Sequence, residues 1–374
     1  MDKDYSSYME FPLGQRLREL PGPLLLTGHT GFKGTWMTFL LEHLNVPVIG
    51  YSLSPTRDSL FDRAGRSGVI SEKFADIREH QKLESFMDEH KPSTIIHMAA
   101  QPLVLESYEN PRETFDINVM GTANLLEIAF KKDYVQAVVI VTTDKVYRND
   151  NSGTAFIETD PLEGKDPYSA SKVGAEAVVA AWQQIGKIKG GPKLFSVRAG
   201  NVIGGGDNSR DRLLPDIVRH IFAGDKLSLR NFAATRPWQH VLDVSIGYLQ
   251  CLEAALNGHD FKAVNLACKD EKNLSVKQVV EICSEFLIQN RLPKLNSRPS
   301  NNFSDQESHY LSLNSSFAFT ELGIKNYISQ RQAVVSTIKW WHQVINKEEN
   351  PMEVCTLEIE EACKIRAIKP EIRF

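Results

Sequence analysis

The sequence predicts an α/β protein, with a Rossmann-type doubly wound parallel sheet and a smaller mixed α/β substrate-binding domain towards the C-terminus. Three observations carry that expectation. Short β-rich runs alternate with helical patterns along the first half of the 374 residues, the rhythm of right-handed βαβ units. The run Val138-Val139-Ile140-Val141 is continuously β-branched, as in a strand buried on both faces. Between the first strand and the first long helix lies Gly28-His29-Thr30-Gly31-Phe32-Lys33-Gly34, whose spaced glycines let a backbone approach a pyrophosphate at a helix N-terminus.

The elements follow in order. Residues 1–22 are polar and mixed in charge, lack the apolar centre of a signal peptide, and suit an arm ahead of the domain. Leu24-Leu25-Leu26 opens the sheet, and residues 35–44 place Trp36, Met37, Phe39, Leu40 and Leu44 at helical spacing. Further strands are expected at 46–51, 72–77, 94–100, 137–143 and 194–198. Helices are expected at 79–90, at 111–131 and on the stretch holding Tyr168 and Lys172, where Asp166-Pro167 is an N-terminal helix signal. Segments 275–290, 309–313, 315–322 and 329–346 suit a small mixed α/β cap, whereas the charged residues 347–374 match no assignable element. The expected domains are 23–200 for a dinucleotide, with 241–265 returning to it, then 201–240 plus 266–346 for the substrate, and a tail from 347.

Composition narrows the class. A chain that is 42% hydrophobic and 24% charged can bury one large core or two unequal ones. A net charge of −4 and a pI near 6.2 give no footprint for nucleic acid. No apolar run approaches the length of a membrane span. The five cysteines, Cys251, Cys268, Cys283, Cys355 and Cys363, are odd in number and widely spaced, as expected of reduced thiols in a cytoplasmic protein. Neither they nor the ten histidines have metal-ligand spacing, so no metal is expected. The sequons at Asn273, Asn302 and Asn314 are expected to be inert.

Two stretches carry the chemistry. Thr142-Thr143-Asp144-Lys145 falls at the C-terminal end of the β-branched strand, where open α/β sheets place their reactive groups. Tyr168 and Lys172 share a helix face four residues apart, a pairing common by chance. It gains meaning from the complementary hydroxyl, acid and amine of the first stretch. No Asp or Glu stands near Tyr51-Ser52-Leu53 to hold the adenosine ribose, and Arg57 is a lone loop cation, so these residues leave NAD and NADP open.

The set Gly28, Gly31 and Gly34, Asp76-Ile77, His97-Met98-Ala99-Ala100-Gln101, Asn118-Val119-Met120-Gly121-Thr122, Thr143-Asp144-Lys145 and Tyr168 with Lys172 resembles the extended short-chain dehydrogenase/reductase family. The likeness runs from about residue 24 to 343. Within that family the glycine loop, the stretch Arg198-Ala199-Gly200-Asn201-Val202-Ile203-Gly204-Gly205-Gly206-Asp207 and Thr235-Arg236-Pro237-Trp238-Gln239-His240-Val241 resemble the CDP-glucose 4,6-dehydratases.

The resemblance implies NAD as cofactor, held by Gly28, Thr30, Gly31, Phe32, Lys33, Gly34, Asp76, Ile77, Ala99, Ala100, Gln101, Asn118, Thr142, Tyr168, Lys172 and Arg198. It implies Tyr168 as the base for a sugar 4-hydroxyl, its phenolate favoured by the ammonium of Lys172, with Thr143 on the 4-oxygen. Asp144 would be the acid for a departing 6-hydroxyl and Lys145 the base at C5, its pKa lowered by burial and by Lys172. A nucleotide sugar would meet Gln101, Thr143, Asn201, Leu213, Leu214, Arg236 and Trp238, with Arg236 on the diphosphate. A homodimer or dimer of dimers through helices near 111–131 and 168–187 is also implied.

The chain departs from that family on the substrate side. Ala155-Phe156-Ile157-Glu158 replaces an aromatic Trp-Gly-Tyr-Arg-Glu, Glu163-Gly164 a Gly-Gly pair, Leu105 an arginine, and Asn265-Leu266-Ala267-Cys268 an Asn-Phe-Gly-Pro. Base and hexose are therefore open. So are two other readings: a 4-epimerase of the same fold, which needs neither Asp144 nor Lys145, and a silent dinucleotide-binding scaffold, against which intact Thr143, Tyr168 and Lys172 argue.

Overall fold

The computed structural model describes residues 13–223, 227–229, 232–268, 272–293, 295, 297–299 and 310–368. Residues 1–12 of the expected arm, His309 and residues 369–374 of the tail lie outside the described residues. From the N-terminal side, α1 (Gln15–Arg18) leads into β1 (Leu24–Thr27), α2 (Phe32–His43), β2 (Val48–Ser52), α3 (Leu60–Arg63) and β3 (Ser71–Phe74). After α4 (His80–His90) and β4 (Thr94–His97) come α5 (Val104–Glu109) and α6 (Pro111–Phe115), which passes through a π-turn (Asp116–Met120) into α7 (Gly121–Ala129). Next are β5 (Ala137–Val141), α8 (Pro167–Lys189), β6 (Lys193–Ala199), β7 (Asn201–Ile203), α9 (Leu213–Ala223), β8 (Leu227–Leu229), β9 (Thr235–Arg236) and β10 (Trp238–His240). The chain closes with α10 (Val241–Leu256), β11 (Ala263–Leu266), β12 (Leu274–Ser275), α11 (Val276–Gln289), β13 (Ser297–Pro299), α12 (Ser316–Leu322), α13 (Gln330–Asn346) and α14 (Pro351–Ile365).

Seven strands form one parallel sheet in the order β11-β6-β5-β4-β1-β2-β3, the doubly wound arrangement expected. Alternation along β1 divides the core. Leu24 and Leu26 face α2, α10 and α14, while Leu25 faces Leu83 of α4, Leu125 of α7 and Val179 of α8. The edge strand β3 carries Glu72 and Lys73, and its Ser71, Lys73 and Phe74 are exposed, a charged rim that blunts strand pairing with other chains.

Three strands stop earlier than expected: β5 ends at Val141, two residues short, and side chains end the other two. β4 ends at His97 because the amides of Met98 and Ala99 both donate to Thr27 Oγ1, at 3.1 Å each. β3 ends at Phe74 because Asp76 turns the chain, its carboxylate accepting from the Arg78 amide at 2.8 Å. The expected helix 111–131 is interrupted by the π-turn where it crosses α8: a Cβ on Gly174 would lie 2.7 Å from Val119 Cγ2.

A third core, separate from the sheet, gathers Ile203, Leu214, Ile217, Trp238, Val279, Cys283, Val334 and Ile338. The unassigned stretch after 347 contains a regular helix. Asn350 caps α14, Pro351 takes its first position, and Val354, Cys355, Ile359, Ala362 and Cys363 bury against α2 and α13.

Candidate active site

The order of the sheet reverses between β1 and β4, the position where open α/β sheets form a ligand crevice. Gly28 follows β1 with φ +74°, and a Cβ there would lie 2.8 Å from the Ala99 amide across the crevice. A Cβ on Gly34 would lie 2.1 Å from the Gly28 carbonyl oxygen, so that glycine lets α2 sit against the loop. Gly31 caps α2 without a side-chain acceptor, leaving the first amides of the helix for an anion. This glycine cradle fits the pyrophosphate of a dinucleotide.

At the adenosine end, Thr30 Oγ1 lies 2.8 Å from Ser52 Oγ and donates to the Leu53 carbonyl at 3.0 Å. Glu72 is committed elsewhere, to His29 Nε2 at 2.8 Å and the Gly68 amide at 2.7 Å. Arg57 is 96% exposed and lies beside Asp58. Asp76 grips Arg78 through both carboxylate oxygens, at 3.0 and 2.8 Å. Ile77 is buried against Gly121, where a Cβ would come within 2.6 Å of it.

Proton chemistry converges at the end of β5. Thr143 caps a 3-10 turn (Asp144–Val146), its Oγ1 accepting from the Lys145 amide at 3.3 Å. The same hydroxyl donates to Asp144 Oδ1 at 3.0 Å and hydrogen-bonds the Tyr168 phenol. Tyr168, Thr143 and Asp144 thus form one continuous chain. Asp144 is 1% exposed and its Oδ2 has no hydrogen-bond partner. Burial raises its pKa, against the nearby charge of Lys145, the Thr143 hydroxyl and the charge of Arg236. A carboxyl whose burial disfavours its charged form is suited to donate a proton. Lys145 follows it, partly buried.

Tyr168 sits in the first turn of α8, where Asp166 and Ser169 form a reciprocal capping box. Burial pushes its phenol up to about 12, with Arg212 first and Thr143 second in opposing that rise. Of the charges near the phenol, that of Arg212 acts most strongly in favour of the phenolate. Lys172 Nζ donates instead to the Val141 carbonyl at 3.2 Å, and burial lowers its pKa to about 8 against the pull of Glu176.

Arg198 also departs from expectation. Rather than facing a cofactor, its guanidinium donates to both carboxylate oxygens of Glu176, to the Tyr147 hydroxyl and to the Glu158 carbonyl, at 2.8–2.9 Å. The Thr142 hydroxyl is likewise committed to Glu176, at 2.6 Å. Asn118 clamps the Gln101 backbone at both its amide and its carbonyl, at 2.9 and 3.1 Å, and donates to Ser171 Oγ at 2.8 Å. The Gln101 side chain folds back onto Leu103 and Thr114. These four side chains are thus held by partners within the protein.

On the other wall, Asn201 of β7 pairs in register with Trp238 of β10. Arg236 lies within electrostatic range of Asp144, so it shares the cleft. Trp238 does not point there: 4% exposed, it belongs to the third core and donates from Nε1 to the Leu274 carbonyl at 3.0 Å. Leu214 is buried in the same core and Leu213 packs at its margin. Gly204 to Gly206 pack on protein, a Cβ on Gly205 falling within 2.0 Å of the Trp340 ring. Sequence reasoning missed Arg212, whose signal was its place directly before Leu213-Leu214. Among the described residues no three His, Cys, Asp or Glu side chains gather as metal ligands would.

Residues 24–267 match the NAD dependent epimerase/dehydratase family. The chain belongs to that family. NAD dependence, which the ribose end left open, comes with it. The chain is similar to the CDP-glucose 4,6-dehydratase of Salmonella typhimurium, 37% identical over 89% of this chain and 93% of that one. It is also similar to the UDP-glucose 4-epimerase of Halalkalibacterium halodurans, 28% identical over 70% and 79%. In fold it matches the dTDP-glucose 4,6-dehydratase of Streptomyces venezuelae solved with NAD, with a TM-score of 0.74 at 23% identity over 88% of this chain and 99% of that one. The UDP-glucose 4-epimerase of Thermotoga maritima matches with a TM-score of 0.73 at 18% identity, over 86% and 99%.

Proposed function

We propose that this family member is a sugar-nucleotide 4,6-dehydratase, with CDP-glucose as substrate and the CDP-4-keto-6-deoxy sugar as product. The single observation that carries the reading is the buried acid Asp144, joined through Thr143 to Tyr168 with one oxygen free of partners. Epimerisation needs a base and a hydride acceptor, whereas elimination needs an acid placed beside them. The 37% identity to a CDP-glucose 4,6-dehydratase supports the choice of substrate.

NAD, when bound, supplies the hydride acceptor at C4 and the donor at C6. Tyr168 takes the proton of the 4-hydroxyl while Thr143 holds the 4-oxygen. Once C4 is a ketone the C5 proton is acidic, and Lys145 removes it. Asp144 protonates the departing 6-hydroxyl, so water leaves across C5 and C6, and the proton held by Lys145 returns to C5 as C6 is reduced. Arg236 and Arg212 bind the substrate diphosphate, and the α2 N-terminus binds the cofactor pyrophosphate. Incubation with CDP-, GDP-, UDP- and dTDP-hexoses tests the reading: loss of one water from CDP-glucose is expected, and no loss from any hexose would end it.

The same reading places the enzyme in the cytoplasm, in deoxysugar supply for surface polysaccharide such as O-antigen, as a homodimer. Exposed Leu105, Tyr108, Phe115 and Met120 along α5, α6 and the π-turn support a helical dimer face. Light scattering at the mass of one chain would remove the dimer.

A further inference from the structure

His97 ends β4 as a buried imidazole with a threonine hydroxyl on each side. Its Nδ1 lies 2.7 Å from Thr27 Oγ1 and its Nε2 lies 3.3 Å from Thr122 Oγ1. Both hydroxyls have a settled direction. Thr27 Oγ1 accepts from the amides of Met98 and Ala99, so its own hydrogen turns to His97 Nδ1. Thr122 donates to the Asn118 carbonyl at 2.7 Å, so its oxygen is left to accept from His97 Nε2. Each end therefore fixes the same neutral tautomer, with the hydrogen on Nε2. Burial first, then the charge of Lys172, lowers the ring's pKa to about 3, in keeping with that neutral form.

From the two hydroxyls the chain of hydrogen bonds runs on to both walls of the crevice. On one side the Ala99 amide lies across from Gly28, where a Cβ would come within 2.8 Å of it. On the other, Asn118 holds the Gln101 backbone and donates to Ser171 Oγ, which donates to the Tyr168 carbonyl at 2.6 Å. Resting on the reading that NAD lies in this crevice and that Tyr168 takes the sugar 4-hydroxyl proton, we propose that His97 is a positioning residue for the hydride step. Its acceptor side, through Thr27, sets the wall that faces the glycine loop. Its donor side, through Thr122 and Asn118, sets the helical turn that carries Tyr168. The buried ring acts through these partners and relates one wall to the other. Transfer of the hydride from C4 to the nicotinamide, with the 4-hydroxyl proton passing to Tyr168, depends on that spacing.

Two substitutions separate the two sides of the ring. His97→Asn puts an oxygen where Nδ1 stands, so it still accepts from Thr27 but offers Thr122 no donor. His97→Gln puts an amide nitrogen where Nε2 stands, so it still donates to Thr122 but leaves Thr27 without an acceptor. On the full chain, His97→Asn is expected to bind NAD within about twofold of wild type and to form reduced cofactor from CDP-glucose about tenfold more slowly in a single turnover at saturating NAD. His97→Gln is expected to show the reverse, with NAD bound about tenfold more weakly and a single-turnover rate within about twofold. Thr122→Val and Thr27→Val keep the imidazole and are expected to reproduce the first and second patterns respectively, and they carry the test if the His97 variants do not fold. Neutron diffraction from wild-type crystals is expected to show hydrogen on Nε2 and none on Nδ1. Hydrogen on Nδ1, or affinity and rate that are unchanged or fall together in both variants, overturns the inference while the cofactor and dehydratase readings stand. A wild type that binds NAD yet forms no reduced cofactor with any nucleotide hexose ends the dehydratase reading, and the role of His97 in the hydride step with it.

Discussion

At the scale of single residues, the account rests on the chain Tyr168, Thr143, Asp144. Asp144→Asn keeps the shape but cannot donate a proton. It is expected to form the 4-ketone and reduced cofactor at near wild-type rate in a single turnover, with elimination slowed by a factor of about 10² to 10⁴; equal loss of both steps would show that Asp144 is not the acid. Tyr168→Phe is expected to abolish the first step, read as no reduced-cofactor absorbance. The sequence singled out Tyr168, Lys172, Thr143 and Asp144 by local spacing, and the fold brings them to the end of β5. It misjudged Arg198 because a strand arginine looks the same whether it meets a ligand or a carboxylate, and Glu176 decides that only from another element. Arg212 became visible for the same reason, once distant elements were packed together.

At the scale of elements, α8 is fixed to β6 by the Glu176–Arg198 pair, whose side chains are each 5% exposed. Removing one partner leaves a buried uncompensated charge, so Glu176→Ala is expected to lose about 3–5 kcal/mol in urea unfolding. The double variant Glu176→Ala with Arg198→Met is expected to lose less than that single change. The sheet strands were legible because β-branched runs and βα alternation are local signals. The ends of β3 and β4 were not, since Asp76 and Thr27 terminate them through side chains. α14 was overlooked because its charged outer face hides the spacing of Val354, Ile359 and Cys363. Deleting residues 351–374 would bare α2, and a clear fall in melting temperature is expected. An unchanged melting curve would show α14 to be dispensable packing.

At the scale of the whole molecule, the α14 layer also sets a pH dependence. Burial raises Glu358 to about 7, while His240, 3.6 Å away, is lowered to about 3, by burial first. A carboxyl whose folded pKa is raised favours folding below its unfolded pKa of 4.5, and that contribution is lost as pH rises towards 7. Glu358→Gln is therefore expected to raise the melting temperature relative to wild type more at alkaline than at acidic pH. The whole assembly brings β5, α8, β7 and β9 to one cleft, and the claim built on it is that water leaves the sugar there. CDP-glucose deuterated at C4 tests that claim most directly. The account predicts a product one water lighter with the deuterium in its 6-methyl group. Recovery of an intact hexose, epimerised or not, with deuterium still at C4 would contradict it.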